Sequence, residues 1–424
     1  MDIDALQKEN QQLRRAVEEL SFLNELSLAI GSSFKSEEIM QTIIKKSIHA
    51  VKAEQGSIVL ISGEEDKDMK TLVRSIVSSS EHKPFGLSQN LLGWMQLHKS
   101  PLNIDDPKND DRFRGVQWGE YLRSVACVPM LVKSKLTGIL SVYNKKKEPH
   151  FNDDDLRLLS IIAIQSAQIV DNVRLYEEER ELLKFREEVR LAREIQINLL
   201  PKSNPDITGY DIAGISIPAL SVGGDYYDFI PLEDNTMAIS LGDISGKGMP
   251  AALLMSNLYT AVRGQSLTYT KPRECINQIN GLLYRCTDTN KYATLFYGVL
   301  NHVNNEFLYT NAGHNPPMFF TDKNEPVLLK SGGPVVGFID GIKFNDDTIL
   351  FEPGNLCVIY SDGITEAMDK SENEFGEDKL KALVKKNRNL SSAELIEKIL
   401  KAVDEHSKNV PQSDDITIVV IRKT

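Results

Sequence analysis

Apolar and polar positions alternate along this chain with a changing period, and the changes divide it into four stretches. At the start, Leu6, Asn10, Leu13, Val17, Leu20 and Asn24 follow one another at alternating spacings of four and three, in a run free of Gly and Pro. That period predicts a helix with a narrow apolar seam over residues 1–32. Asparagine at two seam positions costs stability and fixes register, so a self-associating coiled coil is expected there. The alternative is an amphipathic helix packed on its own domain.

Residues 33–172 change period more than once. Within 36–51, Ile39, Ile43, Ile44 and Ile48 share one helical face. Runs at 57–61 and 72–77 read as strands, and those at 125–132 and 136–143 flank Lys133-Ser134-Lys135, which predicts a hairpin. Phe151 and Asn152 lead into a long helix. Its first turn holds Asp153, Asp154 and Asp155, where carboxylates favour the positive end of the helix dipole. From Ile169 no breaker interrupts the pattern before Pro201, and Leu182, Phe185, Val189, Ala192, Gln196 and Leu199 continue a three-four ladder embedded in charge. An isolated helix this polar is marginal without a partner. Residues 173–200 are therefore expected to be a helical linker that pairs in a homodimer, with a stiff spacer as the alternative.

Beyond Pro201 short β-type runs alternate with helical pairs as far as residue 424. Met237, Ala238, Ile239, Ser240 and Leu241 form one run and feed into Gly242-Asp243. A glycine-rich turn, Gly246-Lys247-Gly248, follows, and Pro250 opens an alanine-rich helix, where its missing N–H costs little. Asp225 stands just before or at the start of a strand in VGGDYYDF. Asp362 follows the run at 356–360 in LCVIYSDGITEA, with Gly363 expected to give a sharp turn. Asp414 and Asp415 precede the run at 416–421 in SDDITIVVI. In an antiparallel sheet the C-end of one strand lies beside the N-end of its neighbour, so these carboxylates are expected to gather at one sheet edge.

Such a set, without Cys or His ligands, calls for a hard cation, Mg²⁺ or Mn²⁺, in an oxygen-rich site. His314 is the one nearby imidazole, which disfavours Zn²⁺. Two such ions about 3.5–4 Å apart bind phosphoryl oxygens and lower the pKa of a water that then attacks. The chain has no G-x-S-x-G or Cys–His constellation, and this chemistry needs none. A net charge of −11 suits cation binding and argues against nucleic acid as a partner. Cys127, Cys275, Cys286 and Cys357 lie far apart, each in or beside an apolar stretch, so buried thiols in a reducing cytoplasm are expected. The opening MDIDALQKEN lacks the basic and apolar regions of a secretory signal. The longest apolar run, 159–170, is broken by Gln165 and Gln168, well short of the ~20 residues of a membrane span. The expectation is a cytoplasmic chain with no membrane span.

Two resemblances add to this reading. VACVPMLVKSKLTGILSVYNKKK, FNDDDLRLLSIIAIQSAQIVDN and the DDRF at 110–113 resemble a GAF domain over residues 33–172. GAF domains bind small ligands or dimerise, and no residue here identifies a ligand. Cys127 has a chromophore or redox reading and a buried structural one, and its strand neighbours Val128 and Pro129 favour the second. LGDISGKGMPAALLMS at 241–256, with VGGDYYDF, the NAGHNP at 311–316, the SDG at 361–363 and SDDIT, resembles the metal-dependent serine/threonine phosphatases of the 2C class. The similarity is to the bacterial subgroup typified by sporulation stage II protein E (SpoIIE) and the sigma-factor regulatory phosphatases.

That resemblance implies an α+β chain: an N-terminal GAF domain with an antiparallel sheet, a helical linker, and an α-β-β-α sandwich of two antiparallel sheets over 201–424. It implies hydrolysis of phosphoserine or phosphothreonine on a protein, with a phosphorylated anti-anti-sigma (STAS-type) regulator as substrate. Asp243 would bridge two Mn²⁺ or Mg²⁺ ions, with the carbonyl of Ile244 as a further ligand, and Asp362 would hold the second ion. Asp414, rather than Asp415, matches the first acid of the family's closing motif, and Asp225 would complete the site directly or through water. Asp225 and Asp243 are thus the expected catalytic pair. Eukaryotic relatives carry a histidine two residues after the bridging aspartate, where this chain has Ser245. Lys247 either contacts phosphate or lies in solvent, and His314 either approaches the site or is structural. Arg193-Glu194-Ile195-Gln196 before Leu199-Leu200-Pro201 is similar to the helix that precedes the catalytic domain in these phosphatases, a regulatory switch in that family.

Competing readings fare worse. Residues 242–248 depart from a P-loop by one residue in spacing, and Gly248 replaces its Ser/Thr. VGGDYYDF is similar to the turn of diguanylate cyclases, which leaves SDG and SDDIT without a role. A non-catalytic signalling scaffold with a phosphatase fold remains as the alternative.

Overall fold

The structure, a computed structural model, describes Asn10 and residues 36–61, 89–286, 291–322 and 325–424. Two compact units divide the chain, Met1–Leu183 and Lys184–Thr424. The expected seam over residues 1–32 and the strand at 72–77 lie outside the described residues, apart from Asn10 itself.

In the first unit, helix α1 (Ser36–Ala50) precedes β1 (Ala53–Leu60), α2 (Gln89–His98), β2 (Leu102–Ile104), β3 (Val125–Val132), β4 (Lys135–Lys145) and the start of α3 (Asp153–Leu199). The antiparallel sheet runs β1-β4-β3-β2. Lys133 and Ser134 join β3 to β4 with φ of 46° and 65°, the left-handed pair that a two-residue hairpin needs. Strand alternation sends Ile58, Ala126, Val128, Leu140 and Val142 into one core with Ile43 of α1 and Leu159, Ile162 and Ala163 of α3. The opposite parity buries Cys127, Ile139 and Tyr143 with Leu91, Leu92 and Met95 of α2. There the Cys127 thiol donates to Ser141 Oγ at 3.2 Å, and burial pushes its pKa up to about 12, so it is an inert structural thiol. The unbroken pattern beyond Ile169 becomes a single 47-residue helix that stops before Pro201.

The second unit contains β5 (Tyr210–Ile217), β6 (Tyr226–Pro231), β7 (Thr236–Ile244), α4 (Met249–Ser266), α5 (Pro272–Cys286), β8 (Ala293–Asn301), β9 (Glu306–Ala312), β10 (Met318–Phe320) and β11 (Val327–Leu328). It continues with β12 (Gly332–Gly333), β13 (Asp347–Leu350), β14 (Leu356–Tyr360), α6 (Asp362–Thr365), α7 (Glu377–Lys386), α8 (Ser392–His406) and β15 (Ile416–Lys423). One sheet runs β11-β10-β14-β15-β5 and the other β12-β9-β8-β7-β6, with β13 also on β9. Ile239, Leu241, Phe296 and Phe307 of the second sheet meet Cys357, Ile359, Val419 and Ile421 of the first in the central core. The outer faces bury Met255, Leu258, Ile276 and Ile279 of α4 and α5, and Leu380, Val384, Leu395 and Ile399 of α7 and α8. The layers are α-β-β-α, as expected.

Four local expectations change. Asp243 is not on a turn beyond its strand but inside β7, paired in register with Thr294; Gly242 and Asp243 stay extended because β8 continues alongside them. Gly363 makes no sharp turn. It lies in the one-turn helix α6, and any side chain there would collide with the Asp415 carbonyl, so glycine serves a close approach. The sheets are not purely antiparallel: β12 pairs parallel with β9, because the chain crosses to the other sheet for β10 and β11 before it returns. Three cysteines are buried, but Cys286 is exposed because it closes α5.

One ion pair, buried on its acid side only, ties α4 to the sheet. Asp228 on β6, with no exposed surface, accepts from Arg263 Nε at 2.7 Å and Nη2 at 2.9 Å and from Tyr226 Oη at 3.0 Å. Removing the guanidinium strands a buried carboxylate. Arg263→Met is therefore expected to lower stability by about 3 kcal/mol in urea denaturation, where a neutral result would contradict this role.

Candidate metal centre

Each expected ligand sits where a strand meets a connection. Asp225 is the residue before β6, Asp243 lies one residue from the end of β7, Asp362 follows Ser361 at the end of β14, and Asp414 and Asp415 precede β15. Strand β6 pairs antiparallel with β7, so Tyr226 faces Gly242 and the start of one strand meets the end of the other. Strand β15 pairs with β14, and Ser361 bridges them: its N–H donates to Thr417 O at 2.9 Å and its hydroxyl to Asp415 O at 3.2 Å. Each pairing gathers acids at one edge of its own sheet, and Asp415 Oδ2, which accepts from Gly224 N and Asp225 N, joins the two edges.

The acids feel one another. The Asp243 carboxyl is pushed up to about 7, first by burial and then by the charges of Asp362 and Asp414. Burial, then Asp243, raises Asp225 well above the usual carboxylate range. Asp362 is raised by burial and then by Asp414. Asp225 Oδ2 is buried with no hydrogen-bond partner, an orphan acceptor aimed among other acids. The donors are all oxygens, and together with that orphan they fit a hard divalent cation. Among the described residues no three acid, imidazole or thiol side chains form a closed ligand set. Repulsion between uncompensated carboxylates works against closure, and one side chain is already engaged elsewhere: Lys247 Nζ lies 2.8 Å from Asp414 Oδ2.

The two adjacent aspartates separate by hydrogen bonding. Asp415 Oδ1 accepts from Ala219 N at 2.7 Å, and its Oδ2 accepts from Gly224 N at 2.6 Å and Asp225 N at 3.3 Å. Its oxygens are spent on the backbone of the turn that carries Asp225. Asp414 is half-buried and accepts from Lys247 and from Asp415 N at 2.9 Å. Gln196, near the end of α3, grips the same turn: its Nε2 donates to Gly223 O at 2.6 Å and its Oε1 accepts from Gly223 N at 3.0 Å. A Cβ at Gly223 would stand 2.7 Å from Asp415 Oδ2, and one at Gly224 would stand 3.2 Å from the carbonyl of Ile244. The two glycines let the turn approach both.

Neither of the two side chains weighed for proton chemistry is presented to the acids. Ser245 donates its N–H to Tyr292 O at 2.9 Å and accepts from Tyr292 N at 3.0 Å through its hydroxyl, so it is committed to the edge of β8. His314 is buried, contacts Thr294 Oγ1 through Nδ1 at 2.8 Å, and is held down to about 4 by burial. It stays neutral near pH 7. Sequence reasoning placed Gln196 in the three-four ladder and in the segment similar to the helix that precedes the catalytic domain, and missed its partner Gly223. The one signal was an amide among the apolar and charged residues just before Pro201.

This architecture is that of a two-sheet phosphatase fold. Residues 233–424 match the family model described as Stage II sporulation protein E (SpoIIE), and residues 36–170 match the GAF domain. The chain thus joins a GAF domain to a domain of the SpoIIE type. It is 30% identical over 264 residues to Protein IcfG of Synechocystis sp., covering 55% of this chain and 41% of that protein. Against the phosphoserine phosphatase RsbU of Bacillus subtilis identity is 29% over 242 residues, covering 57% of this chain and 71% of the relative. The chain therefore spans less than half of IcfG and most of RsbU. The SiaA-PP2C domain of Pseudomonas aeruginosa superposes with a TM-score of 0.51 at 19% identity, over 57% of this chain and 98% of that one. Among the described residues no helix is long and apolar enough to cross a membrane.

Asp243 titrates higher in the folded chain than in the unfolded one, near 7 against 3.8. Its contribution to stability is then present below about pH 4 and lost as pH rises through about 7. At pH 7.5 and without metal, Asp243→Asn is expected to melt a few degrees above the parent, with the gap closing toward pH 4. Mn²⁺ should raise the parent's melting temperature and not the variant's. A variant that melts lower at pH 7.5 would contradict the crowding of these acids.

Proposed function

We propose that this chain is a sensor-gated, metal-dependent protein phosphatase that hydrolyses phosphoserine or phosphothreonine on a protein. The observation that carries this is the gathering of Asp225, Asp243, Asp362 and Asp414, with Asp243 pushed up to about 7 by burial and by the charges of two of the others. Acids crowded this way are costly in a fold unless a cation uses them. When bound, Mg²⁺ or Mn²⁺ would supply Lewis acidity toward the phosphoryl oxygens and the attacking water. Asp243 would bridge two ions with help from the Ile244 carbonyl, Asp362 and Asp414 would hold one each, and Asp225 would complete the set. Asp415, whose oxygens accept from three backbone N–H groups, would act through the turn rather than as a ligand, and those contacts support this choice of Asp414.

Regulation would arrive along α3. Gln196 holds Gly223, two residues before Asp225, so a displaced helix end would displace a site residue. Farther back on α3, Leu182, Leu183 and Phe185 stand more than half exposed on a polar helix. Their burial against a second copy would give a homodimer whose linker reports the state of the GAF domain and its unidentified ligand. That RsbU is a phosphoserine phosphatase, together with the match of residues 233–424 to the SpoIIE model, supports the phosphatase half of this reading; a cytoplasmic, partner-switching role is what the resemblance implies. A phosphorylated STAS-type regulator would then be the substrate.

Phosphate release from a phosphoserine protein by the full chain tests this, in Mn²⁺, Mg²⁺ or chelator. Release that needs metal and falls by about 10³-fold or more in Asp243→Asn is expected, the scale of losing a group that stabilises transition-state charge. Equal release in chelator, or by the variant, would defeat the assignment. No release under any metal would favour the scaffold.

A further inference from the structure

Lys247 is the cation that the acid cluster already holds. It stands on the turn between β7 and α4, between Gly246 and Gly248, whose φ values of 97° and 72° are backbone states that glycine adopts freely. Its ammonium lies 2.8 Å from Asp414 Oδ2 and donates to Ser413 O at 2.5 Å, while its side chain is 50% exposed. Asp362 and Glu366 also lie within range of its charge. The other oxygen of Asp414 accepts from Asp415 N at 2.9 Å, so Lys247 and the backbone each hold one oxygen of this expected ligand. A divalent ion seated at Asp414 Oδ2 meets the ammonium there and competes with it, by like-charge repulsion and for the same oxygen.

The displaced ammonium stays at the mouth of the site. Its stem is flexible, its three donors rotate, and two glycines free its backbone. Lys291, two residues before β8, reaches the same turn from the other side of the connection, with Nζ 3.5 Å from Ser245 O. A dianionic phosphoserine is the group that an ammonium held at such a site attracts.

We propose that Lys247 is an exchangeable counter-cation: Asp414 gives up Lys247 for a divalent ion, and the freed ammonium binds the phosphoryl oxygens of the phosphoprotein. The second half rests on the phosphatase reading, and the first half does not. Lys247 both protects the acids from their mutual repulsion and withholds Asp414 from metal, which couples loading of the metal to readiness for substrate.

Two measurements on the full chain test this, with Lys247→Met and Lys247→Arg beside the parent. In the first, Mn²⁺ is titrated without substrate and read by the loss of the free-ion electron paramagnetic resonance signal. Lys247→Met is expected to bind Mn²⁺ several-fold more tightly, because no ammonium competes for Asp414. In the second, steady-state hydrolysis of a phosphoserine protein is expected to show KM raised about tenfold in Lys247→Met, the scale of one charged hydrogen bond, with much of the loss recovered in Lys247→Arg. Unchanged or weaker Mn²⁺ binding by Lys247→Met overturns the exchange. Tighter binding with unchanged KM overturns the phosphoryl role. Hydrolysis absent from the parent chain defeats the functional reading itself, and the Mn²⁺ titration still decides the exchange.

Discussion

Four carboxylates held at the meeting edge of two sheets repel one another, and much of the second unit is arranged to keep them there. Two unit charges 4 Å apart interact by about 4 kcal/mol at the effective dielectric of a protein surface. The fold resists this by covalent means and by hydrogen bonds. Asp243 is locked into β7 by the β8 ladder, Asp362 follows directly on β14, and β15 places Asp414 beside it. Burial first, and then the neighbouring charges, hold Asp225 and Asp243 above the ordinary carboxylate range, and protonation relieves part of the repulsion. Lys247 relieves another part at Asp414.

The turn before β6 is where several constraints meet. Asp415 supplies it with three acceptor contacts and Gln196 with a reciprocal pair, so strand β15 and helix α3 both fix the position of Asp225. A buried backbone group left without its partner costs ~1–3 kcal/mol, so the turn has a strong preference for the state in which both clamps are closed. The last turn of α3 is thus part of the support of Asp225. The ion pair of Asp228 with Arg263 holds α4 against the same strand.

Much of this was legible in the residues. Apolar periodicity located α1, the β3–β4 hairpin and the unbroken run of α3, because those elements bury one face each and the period shows it. The acids were legible as a set because their neighbours are strands with clear alternation. What escaped was pairwise. Nothing in SDDIT says that Asp415 will turn to the backbone of residues 219–225, since that choice is made by a segment about 190 residues away. Gly363 looked like a turn residue, and its real constraint is the carbonyl of Asp415, which only tertiary contact reveals. Asp243 was expected just after its strand, because the apolar run stops at Leu241, yet β8 extends the ladder past it. Gln196 was visible, and its partner was not.

The claim on which everything rests is that these acids form a divalent-cation site. Equilibrium titration of the full chain with Mn²⁺, read by isothermal calorimetry and set beside Asp243→Asn, tests it most directly. The account predicts about two ions per chain for the parent and loss of that binding in the variant. No measurable binding by the parent, or the same isotherm from both chains, would contradict it.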